Sequence, residues 1–274
     1  MGDMPARTPS PFGALLRQWR TRQGLSQLDL ALSAEVSARH LSFVESGRAS
    51  PSREMVLLLA RALDIPLREC NRLLRAAGFV EIYRESDLGA PEMAAPRRAL
   101  EFVLERHEPY PAVVVDATWQ VLLANQAALR LIAWFVPPEA LPAGQQPNLL
   151  RLLFDPRAAR PYVVNWDQVA GDLVQRVHRE AVAGGPGSRA HEVLREVLDQ
   201  PGVPASWRKA DLLQPLSALE CLVLERDGLR LNLFSTIWTF GSPLDITFQE
   251  LRVETFFAAD DETDAALRRP LPAR

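Results

Sequence analysis

The residues with usable chemistry fall into two groups of side chains. In the first, Arg39 stands with Ser37, Ala38, Ser42 and Phe43, followed by Arg48 and Arg53, and preceded by Gln27. A guanidinium can bond guanine O6 and N7 together, and a methyl group or ring can meet the thymine methyl. Amide and further arginine groups suit phosphate oxygens. Phe43 is open to a second reading as a core residue, and Arg39 to one as a solvated surface arginine. His40 reads as a structural contact, and Glu45 as a brace, because a carboxylate beside phosphate is repelled. In the second group, Trp119, Leu131, Phe154, Trp166, Val177, Phe234, Trp238 and Phe240 supply apolar surface, with Arg176, Arg151 and Arg179 as cations. An apolar pocket with a few placed polar groups is the usual make-up of a small-molecule site, and a buried carboxylate needs such a cation. Plain core packing with solvated arginines is the alternative for each of these residues.

Other chemistries lack their residues. The four histidines, His40, His107, His178 and His191, show neither metal spacing nor a neighbouring nucleophile. Cys70 and Cys221 lie far apart and read as free thiols in a reducing cytoplasm. No phosphate loop, dinucleotide fingerprint or CxxCH haem site occurs, so neither an enzyme nor a required cofactor is expected. No apolar run reaches the ~20 residues of a membrane helix.

The elements that would position these groups follow from periodicity and stop signals. Phe12, Leu15, Leu16 and Trp19 lie on one helical face, with Ser10 and Pro11 before it and Gly24 after it. Ser26 caps a short second helix, Gln27 to Ser33. Ser37 caps a third, Ala38 to Ser46, and Gly47 stops it. Met55 to Leu63 and Leu67 to Ala77 mark two more. Five short helices with a two-helix unit in their middle describe a helix-turn-helix domain over 10–80. Its charge is 11 basic to 7 acidic residues over 1–80, against 20 to 27 over 81–274, which suits a DNA-binding head on an acidic body.

Residues 81–96, with Gly89, Pro91 and Pro96, read as a linker. A helix is expected over Arg97–Glu108, then strands at Pro111–Asp116 and Trp119–Ala124, and a helix over Gln126–Trp134. Further helices are expected at Asn148–Phe154, Asp167–Val182, His191–Leu198 and Ser206–Leu213. Strands then follow at Ala218–Glu225, Leu229–Phe240 and Asp245–Phe257, with a turn at Asp227-Gly228. The acidic stretch Asp260–Asp264 reads as the start of a loose tail. The fold class is α+β: an all-α five-helix head, then a five-stranded antiparallel sheet with helices over 97–267.

Gly24-Leu25-Ser26-Gln27, Leu30-Ala31, Val36-Ser37, Leu41-Ser42, Glu45-Ser46-Gly47-Arg48 and Pro51-Ser52 together resemble the phage-repressor (Cro/C1-like, XRE-type) helix-turn-helix family. One departure is Glu35, where many members place glycine for a left-handed turn. The strand, turn, strand, Asn125, helix order resembles the opening of a PAS domain. With Asp116, Asn148-Leu-Leu-Arg151, Phe154 and Trp166, the whole resembles XRE-type regulators carrying a C-terminal MmyB-like, PAS-like ligand-binding domain.

That resemblance implies a cytoplasmic, nucleoid-associated transcription regulator, homodimeric on a near-palindromic double-stranded operator. The start of its third helix would lie in the major groove. It also implies a small apolar, fatty-acid-like ligand as the possible bound molecule. The alternatives are a partner-controlled or antitoxin-like interaction module without a ligand, and a redox or light sensor with a chromophore.

Overall fold

Four serines set where the N-terminal helices begin. In a computed structural model of the chain, α1 (Pro11–Arg22), α2 (Gln27–Ser33), α3 (Ala38–Glu45) and α4 (Arg53–Ala62) follow Ser10, Ser26, Ser37 and Ser52. Each of these hydroxyls accepts the backbone N–H three residues on, and such caps contribute about 1 kcal/mol each. Ser26 and Asp29 close a reciprocal capping box, whose bonds from Ser26 hold the Asp29 carboxyl below its usual range. α5 (Leu67–Ala76) completes the five helices. Phe12, Leu16, Leu30, Leu41, Val44, Leu59 and Leu73 fill the space between them.

The structure describes residues 10–141, 144, 146–185, 188–209, 221–241 and 245–269. They divide into two units, one of 10–85 with 245–246 and one made of the described residues from 86 to 241 and 247 to 269. Part of the stretch expected as a linker is ordered within the first unit. Buried Asn71 donates to the Tyr83 carbonyl at 2.7 Å and accepts the N–H groups of Ile82 and Tyr83. Phe79, Ile82 and Tyr83 thereby rest against the helical core.

In the second unit the sheet runs β2-β1-β5-β4-β3, antiparallel throughout. Its strands are β1 (Ala112–Val115), β2 (Val121–Ala124), β3 (Cys221–Arg226), β4 (Leu229–Trp238) and β5 (Arg252–Ala258). This is the PAS-like α+β layout expected. Around it lie α6 (Ala94–Arg106), α7 (Gln126–Phe135), α8 (Leu149–Phe154), α9 (Trp166–Gly184) and α10 (Arg189–Leu198). Asn125 fixes three of these pieces at once. Its Oδ1 accepts from Ala112 and Ala128 backbone N–H groups, and its Nδ2 donates to the Leu104 and Tyr110 carbonyls. A buried amide making these four bonds locks α6, β1 and α7 together. The Asp227-Gly228 turn has positive φ at both residues, 50° and 80°, the geometry that matches strand twist in a tight hairpin.

Three expectations are corrected. The strand expected over Asp245–Phe257 is divided: α11 (Ile246–Glu250) precedes β5. Asp260 is no tail residue; it caps α12 (Asp261–Leu267) by accepting the Thr263 N–H at 2.8 Å. Leu267 is buried, so this helix has an apolar side to dock. Of the helix expected over Ser206–Leu213, the described part is a single tight turn, Ala205–Arg208. The remainder, like the first residues of the strand expected at Ala218, lies outside the described residues.

Candidate DNA-reading surface and ligand cavity

The position of α3 is set by a buried ion pair. Arg20 of α1 donates its Nε to Glu45 at 2.6 Å and its Nη2 to the other carboxylate oxygen at 2.9 Å, while Nη1 reaches the Leu25 carbonyl. Only 8% of Arg20 and 5% of Glu45 is exposed, so each charge depends on the other. Donating to the Glu45 carboxylate raises the Arg20 guanidinium above its ordinary value. Glu45 thus braces the domain, as its charge suggested. Gln27 joins the same brace, its Nε2 donating to Glu45 at 2.7 Å. The turn between α2 and α3 holds Glu35 in the left-handed region, φ 54°, where many relatives of the motif would have glycine.

On the outer side of α3, Arg39 is exposed and Phe43 is half-buried. The Arg39 and Arg48 guanidinium groups lie 5.5 and 4.3 Å from the Phe43 ring centre. Phe43 is therefore a platform that gathers two cations on one surface, intermediate between the two readings considered for it. Arg48 is further held by its Nε bond to Ser46 Oγ, 2.9 Å. Arg53 is exposed at the first position of α4. Ser42 is half-buried beside Phe43. The Ser37 hydroxyl is occupied in capping α3 through the His40 N–H. Ala38, expected to face outward, is half-buried against the core, because at the first turn of α3 its small side chain lets the helix sit close to its neighbours.

In the second unit a cavity of about 160 Å³ opens between the sheet and α7, α8 and α9. Leu131, Ile132 and Phe135 of α7, Leu149 and Leu153 of α8, and Leu173 of α9 are among its walls; Arg176, Ser235 and Glu254 are its hydrophilic lining. Of the eleven residues singled out from sequence, Trp119, Leu131 and Arg176 meet there. The others are elsewhere. Phe154 meets Trp166 edge-on at 5.8 Å, and Trp166 stacks on Trp207 beneath the Arg160 guanidinium. Val177 is sealed in the same core. Phe234 stacks on Phe257 at 5.2 Å, and Phe240 on Phe248. Trp238 is 54% exposed. Strand alternation explains two of these placements: Phe234 and Trp238 share a parity that is opposite to that of Ser235, which does line the cavity. Of the alternative cations, Arg151 pairs with Glu196, and Arg179 lies outside the cavity wall.

Trp119 is the most constrained residue of the site. It is 2% exposed and left-handed, φ 66°, a conformation that is rare for a bulky side chain and needs support from its surroundings. The support is local. Asp116 Oδ1 accepts from Thr118 N, Thr118 Oγ1 and Gln120 N, and Asn148 ties the Thr118 carbonyl to the start of α8 at 2.7 Å. Two guanidinium groups lie over the indole, Arg176 at 4.4 Å and Arg252 at 4.7 Å from the ring centre. Arg176 also bonds Glu254 at 3.0 Å and Glu180 at 3.3 Å. Arg252 pairs with Glu180 in turn, and the Trp119 Nε1–H donates to Glu180 at 3.3 Å.

Sequence reasoning missed Glu180, Arg252 and Glu254. For Glu254 a signal exists: it interrupts the apolar strand Val253–Phe257 at a position that alternation places on the same face as Phe256, a cavity residue.

Among the described residues no group of side chains could hold a metal ion, and no helix is long and apolar enough to cross a membrane. Residues 96–269 match the family model described as MmyB-like transcription regulator ligand binding domain, and residues 16–70 match a helix-turn-helix family model. No curated protein matches the chain. Among solved structures, an RNA-binding Light-Oxygen-Voltage receptor is similar at 13% identity and a TM-score of 0.24; the match covers 95% of this chain and 62% of that one.

Proposed function

This chain belongs to the MmyB-like transcription regulator family, and from that premise we propose that it is a DNA-binding regulator whose C-terminal unit senses a small apolar molecule. The helix-turn-helix match and the ligand-domain match support the two halves of this reading; neither matched family is one of enzymes. Arg39, Arg48 and Phe43 would face DNA bases and phosphates, with Ser42 beside them and Arg53 on the flanking backbone. One recognition helix reads few base pairs, so the reading includes a homodimer on a near-palindromic operator in the cytoplasm. Gln27, engaged with Glu45 in the free chain, would reach phosphate through its remaining amide hydrogen or its backbone.

The observation that carries the ligand half is the cavity itself. An apolar cavity of about 160 Å³ between sheet and helices, lined by a few placed polar groups, has the make-up of a small-molecule site, which control by a protein partner alone does not require. A void of that order accepts a benzene-sized group, so an acyl tail or ring of modest size suits it, with Arg176 as the cation nearest the polar head. The test is mass spectrometry of small molecules extracted by organic solvent from natively purified full-length protein. Recovery of one apolar species at near one copy per chain is the expected result. Protein that yields none, and that binds no apolar probe afterwards, would leave the interaction-module reading in its place.

A further inference from the structure

We infer that the cavity selects a ligand whose head group is neutral and carries both a hydrogen-bond donor and an acceptor, such as a protonated carboxylic acid or a primary amide, and not an ionised carboxylate. The inference rests on the apolar-ligand reading above and names the head that such a ligand must have. A cation in an apolar pocket invites the opposite assignment, an anionic head. The surroundings of Arg176 argue against it.

Arg176 is already neutralised. Its guanidinium bonds Glu254, of which only 4% is exposed, and Glu180. Arg176 of α9 and Glu254 of β5 line this end of the cavity, and Glu180 of α9 and Arg252 of β5 belong to the same ion-pair network without lining it. These four charges cancel. Asp116, in the turn after β1, adds a negative charge that is bonded into its own turn. The residues that α7, α8, β3 and β4 contribute to the cavity wall are uncharged. An ionised carboxylate entering here would bring an uncompensated negative charge next to the buried Glu254 carboxylate, the arrangement that low-dielectric surroundings penalise most. Two carboxyl groups sharing such a site hold a proton between them.

A neutral head meets no such penalty. Its carbonyl oxygen accepts from Arg176, whose five N–H groups exceed the bonds it makes to Glu254 and Glu180. Its N–H or O–H donates to Glu254, whose carboxylate can only accept. Ser235, on the same sheet face and also in the cavity wall, can serve as either. The hydrocarbon tail then lies against Leu131, Leu149 and Leu153.

The experiment titrates full-length protein calorimetrically with octanamide and with octanoic acid at pH 5.5 and pH 7.5. Octanamide is expected to bind equally at both. Octanoic acid is expected to bind up to about a hundredfold more weakly at pH 7.5, because its neutral fraction falls tenfold per pH unit above its own pKa. In Glu254→Gln, which removes the buried negative charge beside Arg176, octanoic acid should bind as well at pH 7.5 as at pH 5.5. The wild-type contrast decides the matter even where that variant does not fold. Octanoic acid binding independently of pH in the wild type, and more tightly than octanamide, would overturn the neutral-head assignment while leaving an apolar ligand in place. Binding of neither probe by folded protein would remove the apolar-ligand reading and this inference with it.

Discussion

Both units bury an arginine against a glutamate, and the two pairs are used differently. Arg20 makes bonds from Nε, Nη1 and Nη2 to Glu45 and the Leu25 carbonyl, all inside packed helices, so it is a closed joint that sets where α3 stands. Arg176 makes its bonds to Glu180 and Glu254 at the edge of open space, with donor capacity to spare and a strained tryptophan against its face. The lesson is that the ion pair does not define the role. What matters is whether the surrounding side chains close over it.

The largest way to break the comparison is to open the closed joint. Glu45→Ala should cost about 3–5 kcal/mol of stability, because it strands the buried Arg20 charge, and urea denaturation measures it. A loss under about 1 kcal/mol would mean that Arg20 finds water and the joint is not closed. In the second unit, Leu131→Trp should fill the cavity at a cost of about 1–3 kcal/mol. Octanamide affinity should then fall more than about tenfold, the equivalent of 1.4 kcal/mol, with DNA affinity in the absence of ligand unchanged. Undiminished octanamide binding would place the ligand elsewhere.

Two smaller effects sharpen the account of the N-terminal unit. Glu35→Gly should stabilise it by about 1 kcal/mol, by relieving the left-handed backbone at φ 54°, seen as a raised Tm. An unchanged or lowered Tm would show that the chain entropy glycine adds outweighs the relief. Burial pushes the Cys70 thiol up to about 11, from the 9.0 of an ordinary thiol. The folded chain therefore holds this proton more tightly than the unfolded one. Stability from this source is complete below pH 9.0 and is lost as pH rises through about 11. At pH 8, iodoacetamide should alkylate half-buried Cys221 and spare Cys70 until the protein is unfolded. Equal labelling of both would contradict the packing around α5.

The two units also differ in how plainly they could be read from sequence. The helical head was legible because its punctuation is local: Ser26 and Ser37 start helices at the residues expected, and Gly24 and Gly47 lie just beyond helix ends with positive φ. The sheet of the second unit was legible for the same reason at Asn125 and at Asp227-Gly228. The cavity was not. Which aromatic residues face it depends on strand parity and on how α8 and α9 stack, so Phe234, Trp238, Phe154 and Trp166 looked as suitable as Trp119. The ion quartet assembles residues from α9 and β5, whose separation in the chain leaves no local pattern. Residues 245–250 illustrate the same limit: Ile246 and Phe248 alternate as strand residues do, yet Ile246–Glu250 is a helix.

The claim on which the account turns is that the outer side of α3 reads DNA through Arg39. The most direct test is selection of duplexes from a random pool by full-length wild type and by Arg39→Ala, followed by affinity measurement on the wild-type winner at fixed salt. The wild type is expected to select a two-part motif containing a guanine that Arg39→Ala no longer requires. Arg39→Ala should lose about 1–3 kcal/mol in affinity for that duplex with the fold intact. Enrichment of the same motif by both proteins, at equal affinity, would contradict the claim.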